Sequence, residues 1–399
     1  MRTAAMVKNR LWRQLAIATN WPVLAAVAVL CAIGVLSIWA DSSSEGAKQL
    51  LYLAVAAVVM AAVQGVNYLT LGRFAWPLYF LSLLLIAYTV LGAIAQSHHH
   101  ALPAVHAING ASCWITFGHF SFEPSELMKV SFVMVLARYL RFGRNYRTLG
   151  GLLAPFGLAV LPVMLILRQP DLGVAALFIP TLLAMLFVAG AKIKHLVAII
   201  ALGAALVPVF WLSGERNVPF FRHLPSLVHD YQRARVRGML GQDPRTLRAA
   251  GFQQQRALVA SGSGGVTGKG LGGLPVGRGV PEARNDMIFA IIGEQFGLVG
   301  SITVIVAYLV LFVAGIEIAA ATREPFGRLL AVGIVCFLAA QAFLNLLVVM
   351  RLFPVTGVTL PFVSAGGSSL LASCIAAGLL LNVGQNRPRI IARDSFEYD

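Results

Sequence analysis

Apolar runs of roughly 16–25 residues, each long enough to cross a bilayer as a helix, recur along nearly the whole chain and are separated by polar, arginine-bearing joints. They fall at about 21–40, 50–66, 75–95, 125–140, 151–168, 171–190, 195–213, 286–314, 327–350 and 359–383. The pattern predicts an all-α polytopic membrane protein with about ten transmembrane helices forming one integral membrane domain. Two substantial loops fall at about 96–124 and 214–285, the second too long to be a mere connector.

The joints also predict an orientation. With the N-terminus cytoplasmic, sixteen lysines and arginines from Arg2 to Arg393 fall on the inside. Only Lys48, Arg168 and Arg351 fall in short outside segments. The excess places both termini in the cytoplasm and the 214–285 loop, between the seventh and eighth spans, on the extracytoplasmic side.

Composition sharpens this picture. Of 399 residues, 58% are hydrophobic and 12% charged, and the mean hydropathy is +0.79. A soluble domain carries about 25% charged residues. The run from Trp21 to Ala40 is long enough to span and lacks a small-residue cleavage site, so no cleavable signal peptide is expected. Cys31, Cys336 and Cys374 lie in apolar runs and Cys113 in a polar loop, which gives no disulfide framework. The net charge of +15 is spread over many short joints, a topology signal and not a nucleic-acid groove.

Chemistry concentrates between Gln253 and Gly300. Nine of the eighteen residues from Gly262 to Gly279 are glycine, and PEARNDMIFAIIGEQFGLVG follows, with Asp286 at the edge of a long apolar run. A carboxylate at such a junction is costly unless it is used. It is either a general base, desolvated near the proton it removes, or a helix cap, a role open to Asn285 as well. Glu294, about 12 Å further along a helix, is too deep to share that proton and is read as a structural or gating carboxylate. From Glu215 to Asp286 there are eleven basic and five acidic residues, a balance suited to an anionic headgroup on an apolar tail. A solvated loop that binds nothing is the plainer alternative.

Further candidates sit at the same outer level. Glu126 and Lys129, spaced i,i+3, place opposite charges on one helix face, either as a structural ion pair or as substrate contacts. Asp171 either caps the sixth span or faces a cavity. Arg233, Arg235 and Arg237 suit phosphate, although arginines two apart on a helix point in different directions. The glycines around Lys269 allow backbone N–H groups to approach phosphate, but the full P-loop pattern is absent. Ser263 and Ser368, in two glycine–serine runs, are further candidate contacts. His98, His99 and His100 are not assigned to a metal. In FPVTGVTLPFVSAGGSSLLAS, Pro354, Gly357 and Pro361 break helix, and irregular backbone at membrane depth marks a cavity wall.

Six motifs in order carry a family resemblance over nearly the full length: GASCWITFGHFSFEPSELMK (Gly110–Lys129), QPDLG (Gln169–Gly173), HDYQRARV (His229–Val236), GSGGVTGKG (Gly262–Gly270), PEARNDMIFAIIGEQFG (Pro281–Gly297) and PVTGVTLPFVSAGGSS (Pro354–Ser369). The chain resembles the shape, elongation, division and sporulation (SEDS) family, which includes RodA and FtsW. HDYQRARV leans to RodA, slightly favoured here, and TLPF (Thr359–Phe362) to FtsW.

The resemblance implies a peptidoglycan glycosyltransferase that polymerises lipid II at the outer face of the bacterial inner membrane. It implies that Asp286 is the catalytic base, that undecaprenyl diphosphate is the leaving group, and that anomeric inversion results. Arg235, Lys269 or a divalent metal (Mg or Mn) would supply positive charge to the diphosphate. The family's acidic–basic pair maps to Glu126 and Lys129, and its aspartate to Asp171. A class B penicillin-binding protein transpeptidase is the implied partner, since the chain has no acyl-transfer serine motif. The chain departs from the family's usual arginine at Cys113, glutamine at Glu123, glutamine at Arg256 and tyrosine at Ala365. A lipid-linked precursor flippase and a non-enzymatic scaffold for the transpeptidase are the competing classes.

Overall fold

The computed structural model describes residues 20–97, 102–105, 113–118, 120–143, 145–169, 171–213, 230–240 and 251–386. His98, His99 and His100 lie outside the described residues. The long helices are α1 (Trp21–Asp41), α2 (Ser43–Gly65), α3 (Ala75–Ser97), α4 (Pro124–Phe142), α5 (Leu149–Arg168), α6 (Leu172–Ala189), α7 (Ile193–Leu212), α8 (Asp230–Leu240), α9 (Phe252–Ser263), α10 (Ile288–Ala321), α11 (Pro325–Val349) and α12 (Gly367–Asn386). A short antiparallel hairpin, β1 (Ile115–Phe117) and β2 (Phe120–Phe122), precedes α4.

Among the described residues, eight helices are long and apolar enough to cross a membrane: α1, α2, α3 with its preceding turn from Tyr68, α5, α6, α10, α11 and α12. Two of the ten expected runs differ for physical reasons. Helix α4 carries Glu126, Lys129, Arg138 and Arg141 in its 19 residues, so its charges set it apart while its burial places it inside the bundle. Helix α7 has a shorter apolar stretch, Ile193–Val209. The eighth run begins at Ile288 and continues to Ala321, past the expected end near residue 314. Within the 214–285 segment the chain forms α8 and α9, so the stretch is not loop throughout.

Helix α12 is the centre of the bundle. In its apolar window 78% of residues are buried, against 17% for α2 on the periphery. Helix α12 packs on α2, α10 on α1, α11 on α6 and α3 on α4. In lipid, lateral packing relies on close contact and interhelical hydrogen bonds more than on water exclusion. Gly378 of α12 lies against the Met60 carbonyl of α2, where an added Cβ would come within 3.0 Å. Asn382 donates to the carbonyls of Val63 and Val66 and accepts from the Tyr68 N–H, so it ties α12 to the turn after α2.

The glycine-rich stretch repairs a break in α10. Gly297 has φ 65° and ψ −154°, outside helical geometry, and such backbone at membrane depth needs replacement hydrogen bonds. Lys269 and Gly270 donate N–H bonds to the carbonyls of Glu294 and Gln295, at 2.9 and 3.0 Å. Leu298 and Val299 donate to Gly265 and Val266, at 2.9 and 3.2 Å. This approach demands glycine. A Cβ on Gly268 would lie 2.1 Å from the Gln295 carbonyl oxygen, and one on Gly297 would lie 2.4 Å from the Gly268 nitrogen. The backbone donors expected to meet phosphate at Lys269 and Gly270 are therefore used within the fold.

Candidate active site

Asp286 lies in the turn that delivers the chain into α10, and its residue is 5% exposed. It is not a cap: the N-cap of α10 is Met287, with no side-chain capping bond. Its Oδ1 accepts from Gln253 Nε2 at 3.2 Å, and the same amide donates to the Pro281 carbonyl at 2.9 Å. Arg284 is turned away to pair with Asp41. Burial raises the Asp286 pKa to about 7. A hydrogen bond from its own backbone N–H opposes the rise, the nearby Glu282 charge adds to it, and Arg235 and Gln253 lower it. A carboxyl titrating near neutrality, just outside the apolar span, is suited to accepting a proton. In this conformation the Gln253 side chain covers it, and its neighbour Asn285 lines a polar cavity of about 610 Å³.

The irregular segment after α11 holds the Asp286 turn in place. Asn345 Nδ2 bridges the carbonyls of Asp286 and Val358, at 2.7 Å to each. Ser364 Oγ donates to the Asn285 carbonyl at 2.5 Å and accepts from Leu360 N–H at 2.8 Å. Ala365 N–H donates to the Arg284 carbonyl at 2.9 Å. Gln49 Nε2, from α2, donates to the Ser364 carbonyl at 3.1 Å. Gln253, Asn345 and Ser364 were not among the residues singled out from sequence. The signal for Asn345 was present: with Gln341 it forms an i,i+4 amide pair inside an otherwise apolar span, where polar residues are expensive to bury.

A second cluster surrounds the start of α4. Glu126 and Lys129 form an ion pair at 2.7 Å, with both side chains almost fully buried. Lys129 also donates to Gln341 Oε1 at 3.1 Å and lies over the Phe337 ring. Gln341 in turn donates to the Thr359 carbonyl at 2.9 Å, and the Thr359 hydroxyl is bonded to that of Ser369 at 2.7 Å. The pair is thus wired into the wall that positions Asp286. Ser368 accepts from Glu123 N–H at 3.2 Å and donates to the Ser121 carbonyl at 3.1 Å, joining α12 to β2.

Asp171 caps α6, accepting from Val174 N–H at 3.0 Å. Burial raises its pKa; that capping bond and the charges of Lys129 and Arg235 oppose the rise, while Glu126 reinforces it. Burial also raises the pKa of Glu123, with the Glu126 and Asp171 charges adding to it. Gly173 allows the wall to close on this corner, since an added Cβ would lie 2.3 Å from Val358 Cγ2.

Arg235 and Lys269 separate here. Arg235 bonds the Val355 carbonyl at 2.9 Å through one nitrogen and acts electrostatically on both Asp286 and Asp171. Lys269 is committed to the glycine-loop core. It bonds Glu294 at 2.8 Å and Ser263 Oγ at 2.7 Å, and Glu294 also accepts from Val276 and Gly277 N–H. Glu294 is fully buried and serves as the hub of that core. Among the departures from the family pattern, Cys113 donates to the Gln169 carbonyl at 3.2 Å. Arg256 bonds the Gly279 carbonyl at 3.0 Å and covers the Phe252 ring, so it is occupied at that site.

Among the described residues, no three His, Cys, Asp or Glu side chains gather where they could hold a metal ion. The described residues therefore supply no protein ligand set for the expected divalent cation. An apolar groove of about 650 Å³ runs between α6, α10 and α11, lined by residues that include Pro180, Tyr308 and Phe343.

Comparison with known proteins matches residues 11–388 to the family model for FtsW, RodA and SpoVE, described as "Cell cycle protein". Stage V sporulation protein E of Bacillus subtilis is 32% identical over 91% of this chain and 94% of its own length. A probable peptidoglycan glycosyltransferase FtsW of Geobacter metallireducens is 33% identical over 90% of this chain and 92% of its own. Among solved structures, one described as "Structural coordination of polymerization and crosslinking by a peptidoglycan synthase complex" superposes with a TM-score of 0.75 at 28% identity, covering 92% of this chain and 98% of that one. The rod shape determining protein RodA of Thermus thermophilus superposes with a TM-score of 0.65 at 25% identity, covering 93% and 98%.

Proposed function

Because the chain belongs to the FtsW, RodA and SpoVE family, we propose that it is a peptidoglycan glycosyltransferase that polymerises lipid II at the outer face of the membrane. It is a multi-pass protein of the bacterial inner membrane. The proposed topology has ten spans, both termini in the cytoplasm and the Asp286 turn on the extracytoplasmic side. The observation that carries the reading is the placement of Asp286: a buried carboxyl at the turn into α10, bonded by Gln253, its backbone held by Asn345, beside a polar cavity and within the field of Arg235.

In the proposed reaction, Asp286 accepts the proton of the acceptor's N-acetylglucosamine 4-hydroxyl. The freed oxygen attacks the anomeric carbon of the donor's N-acetylmuramic acid from the face opposite the diphosphate. The C–O bond to the diphosphate breaks with its electron pair, so configuration inverts and undecaprenyl diphosphate leaves. Arg235 stabilises the departing negative charge. Gln253 must swing aside to admit the acceptor hydroxyl. The groove between α6, α10 and α11 has the apolar character a prenyl chain requires. No acyl-transfer serine motif is present, so cross-linking falls to a class B penicillin-binding protein in a shared complex.

The test is polymerisation of lipid II by the purified full chain with its transpeptidase partner, comparing wild type with Asp286→Ala. Loss of polymer with retained lipid II binding supports the reading. Equal polymer yield removes the proposed base. Lipid II translocation that survives the substitution, without polymer from either protein, points to a flippase.

A further inference from the structure

The polar cavity of about 610 Å³ beside the Asp286 turn has no part in the proton transfer described above. Asp41 at the end of α1 and Glu45 at the start of α2 form one wall, and Arg278, Glu282, Arg284 and Asn285 form another. Its volume is that of a pocket for a ligand of small-molecule size.

Most of its charges are already engaged. Arg284 pairs with Asp41, Lys48 pairs with Glu45 at 2.8 Å, and Asn285 Nδ2 donates to Glu282 at 2.6 Å. Among the described residues, the Arg278 guanidinium has no hydrogen bond or ion pair, and it is exposed to the cavity. Glu282 has φ 49°, a left-handed conformation that is uncommon for a residue other than glycine and concentrates at functional sites. One concave surface therefore presents a free guanidinium and several carboxylates. The free guanidinium suits a ligand that carries a carboxylate, which the planar fork of arginine matches.

We propose that this cavity binds the peptide branch of the sugar-lipid substrate, with Arg278 receiving a peptide carboxylate. The inference rests on the glycosyltransferase reading above. The cavity and the base are joined by one peptide bond, because Asn285 lines the former and Asp286 is the latter. An N-acetylmuramic acid whose anomeric carbon meets the hydroxyl held at Asp286 can project its peptide substituent into the space walled by Glu282–Asn285. Binding energy taken from this remote part of the substrate would be available to orient the reacting hydroxyl.

The test uses the full chain in lipid nanodiscs and two probes: lipid II with its intact pentapeptide, and lipid II stripped of its peptide by an amidase. Binding and, separately, KM and kcat for polymerisation are measured for wild type, Arg278→Ala and Arg278→Lys. Wild type is expected to bind the intact probe about tenfold more tightly, the size of one charge-assisted hydrogen bond. Arg278→Ala removes that preference, raises KM for the intact probe and leaves binding of the stripped probe unchanged; Arg278→Lys restores part of the preference. Equal wild-type affinity for the two probes, or equal weakening of both by Arg278→Ala, overturns the proposal. A peptide-dependent affinity that needs Arg278 in a protein that makes no polymer supports the cavity and refutes the polymerase reading.

Discussion

Asn345 holds the backbone of Asp286 from beneath, its side-chain amide donating at 2.7 Å to the Asp286 carbonyl and at 2.7 Å to that of Val358. One buried residue of α11 thereby fixes the distance between the turn that carries the proposed base and the irregular wall that faces it. Asn345→Ala leaves both carbonyls without this donor, at about 1–3 kcal/mol for each unsatisfied buried group. The expected outcome is a lower melting temperature and a fall of at least about tenfold in kcat, since small displacements of a base are costly. Asn345→Asp, which cannot donate when ionised, should behave like Ala. Unchanged kcat in a folded Asn345→Ala protein would remove the positioning role.

The raised pKa of Asp286 gives a pH prediction with a definite sign. Its carboxylate form becomes the majority only above about pH 7. Polymerisation should therefore fall about tenfold per pH unit below that point, as expected for a required base. For stability the same shift acts in the opposite sense. The folded state binds the proton more tightly than the unfolded state, so stability is lost as pH rises from the ordinary carboxylate range to about 7. Asp286→Asn should then raise the melting temperature at pH 8 more than at pH 5, while reducing turnover by about a hundredfold or more. Thermal melts of both proteins across that range test the linkage.

The Glu126–Lys129 pair is buried at both ends. Removing one partner of such a pair typically costs about 3–5 kcal/mol, because the other charge is left uncompensated. Lys129→Met and Glu126→Gln should each destabilise strongly, and the double variant should be less destabilised than their sum. A double-mutant cycle read by thermal unfolding in detergent measures this coupling. Additive single effects would mean that Gln341 and Phe337, not Glu126, dominate the Lys129 environment.

Lys269→Met and Gly268→Ala address the core around Glu294. Each is expected to lower the melting temperature, the first by stranding the Glu294 carboxylate and the second by driving a Cβ into the Gln295 carbonyl. In whatever fraction folds, KM for lipid II should be unchanged by Lys269→Met, since the ammonium is bonded to Glu294 and Ser263. A selective rise in KM without loss of stability would return Lys269 to the diphosphate site.

The parts of this arrangement legible in sequence are those that depend on local spacing. Apolar length alone marks the spans, because backbone in lipid must satisfy its own hydrogen bonds. The i,i+3 interval brings Glu126 to Lys129, and an aspartate before LGV caps α6. The glycine-rich stretch was a different case. Its composition suggests flexibility and phosphate binding, whereas its N–H groups serve the kink at Gly297, about thirty residues further along. Nothing in the spacing of those glycines names that partner. Nor does local pattern reveal that Gln253, Asn345 and Ser364, from three separate segments, meet around residues 285 and 286.

The four backbone bonds that seat the glycine loop in the interrupted α10 have a mechanical consequence. Because that loop replaces rungs missing from the helix ladder, a pull on it is a pull on the helix itself. On the proposed topology, force applied to that loop from outside would be carried into the bundle without first straightening a slack tether. The fracture at Gly297 is in that sense a coupling, and the load it transmits enters nine residues beyond the start of α10.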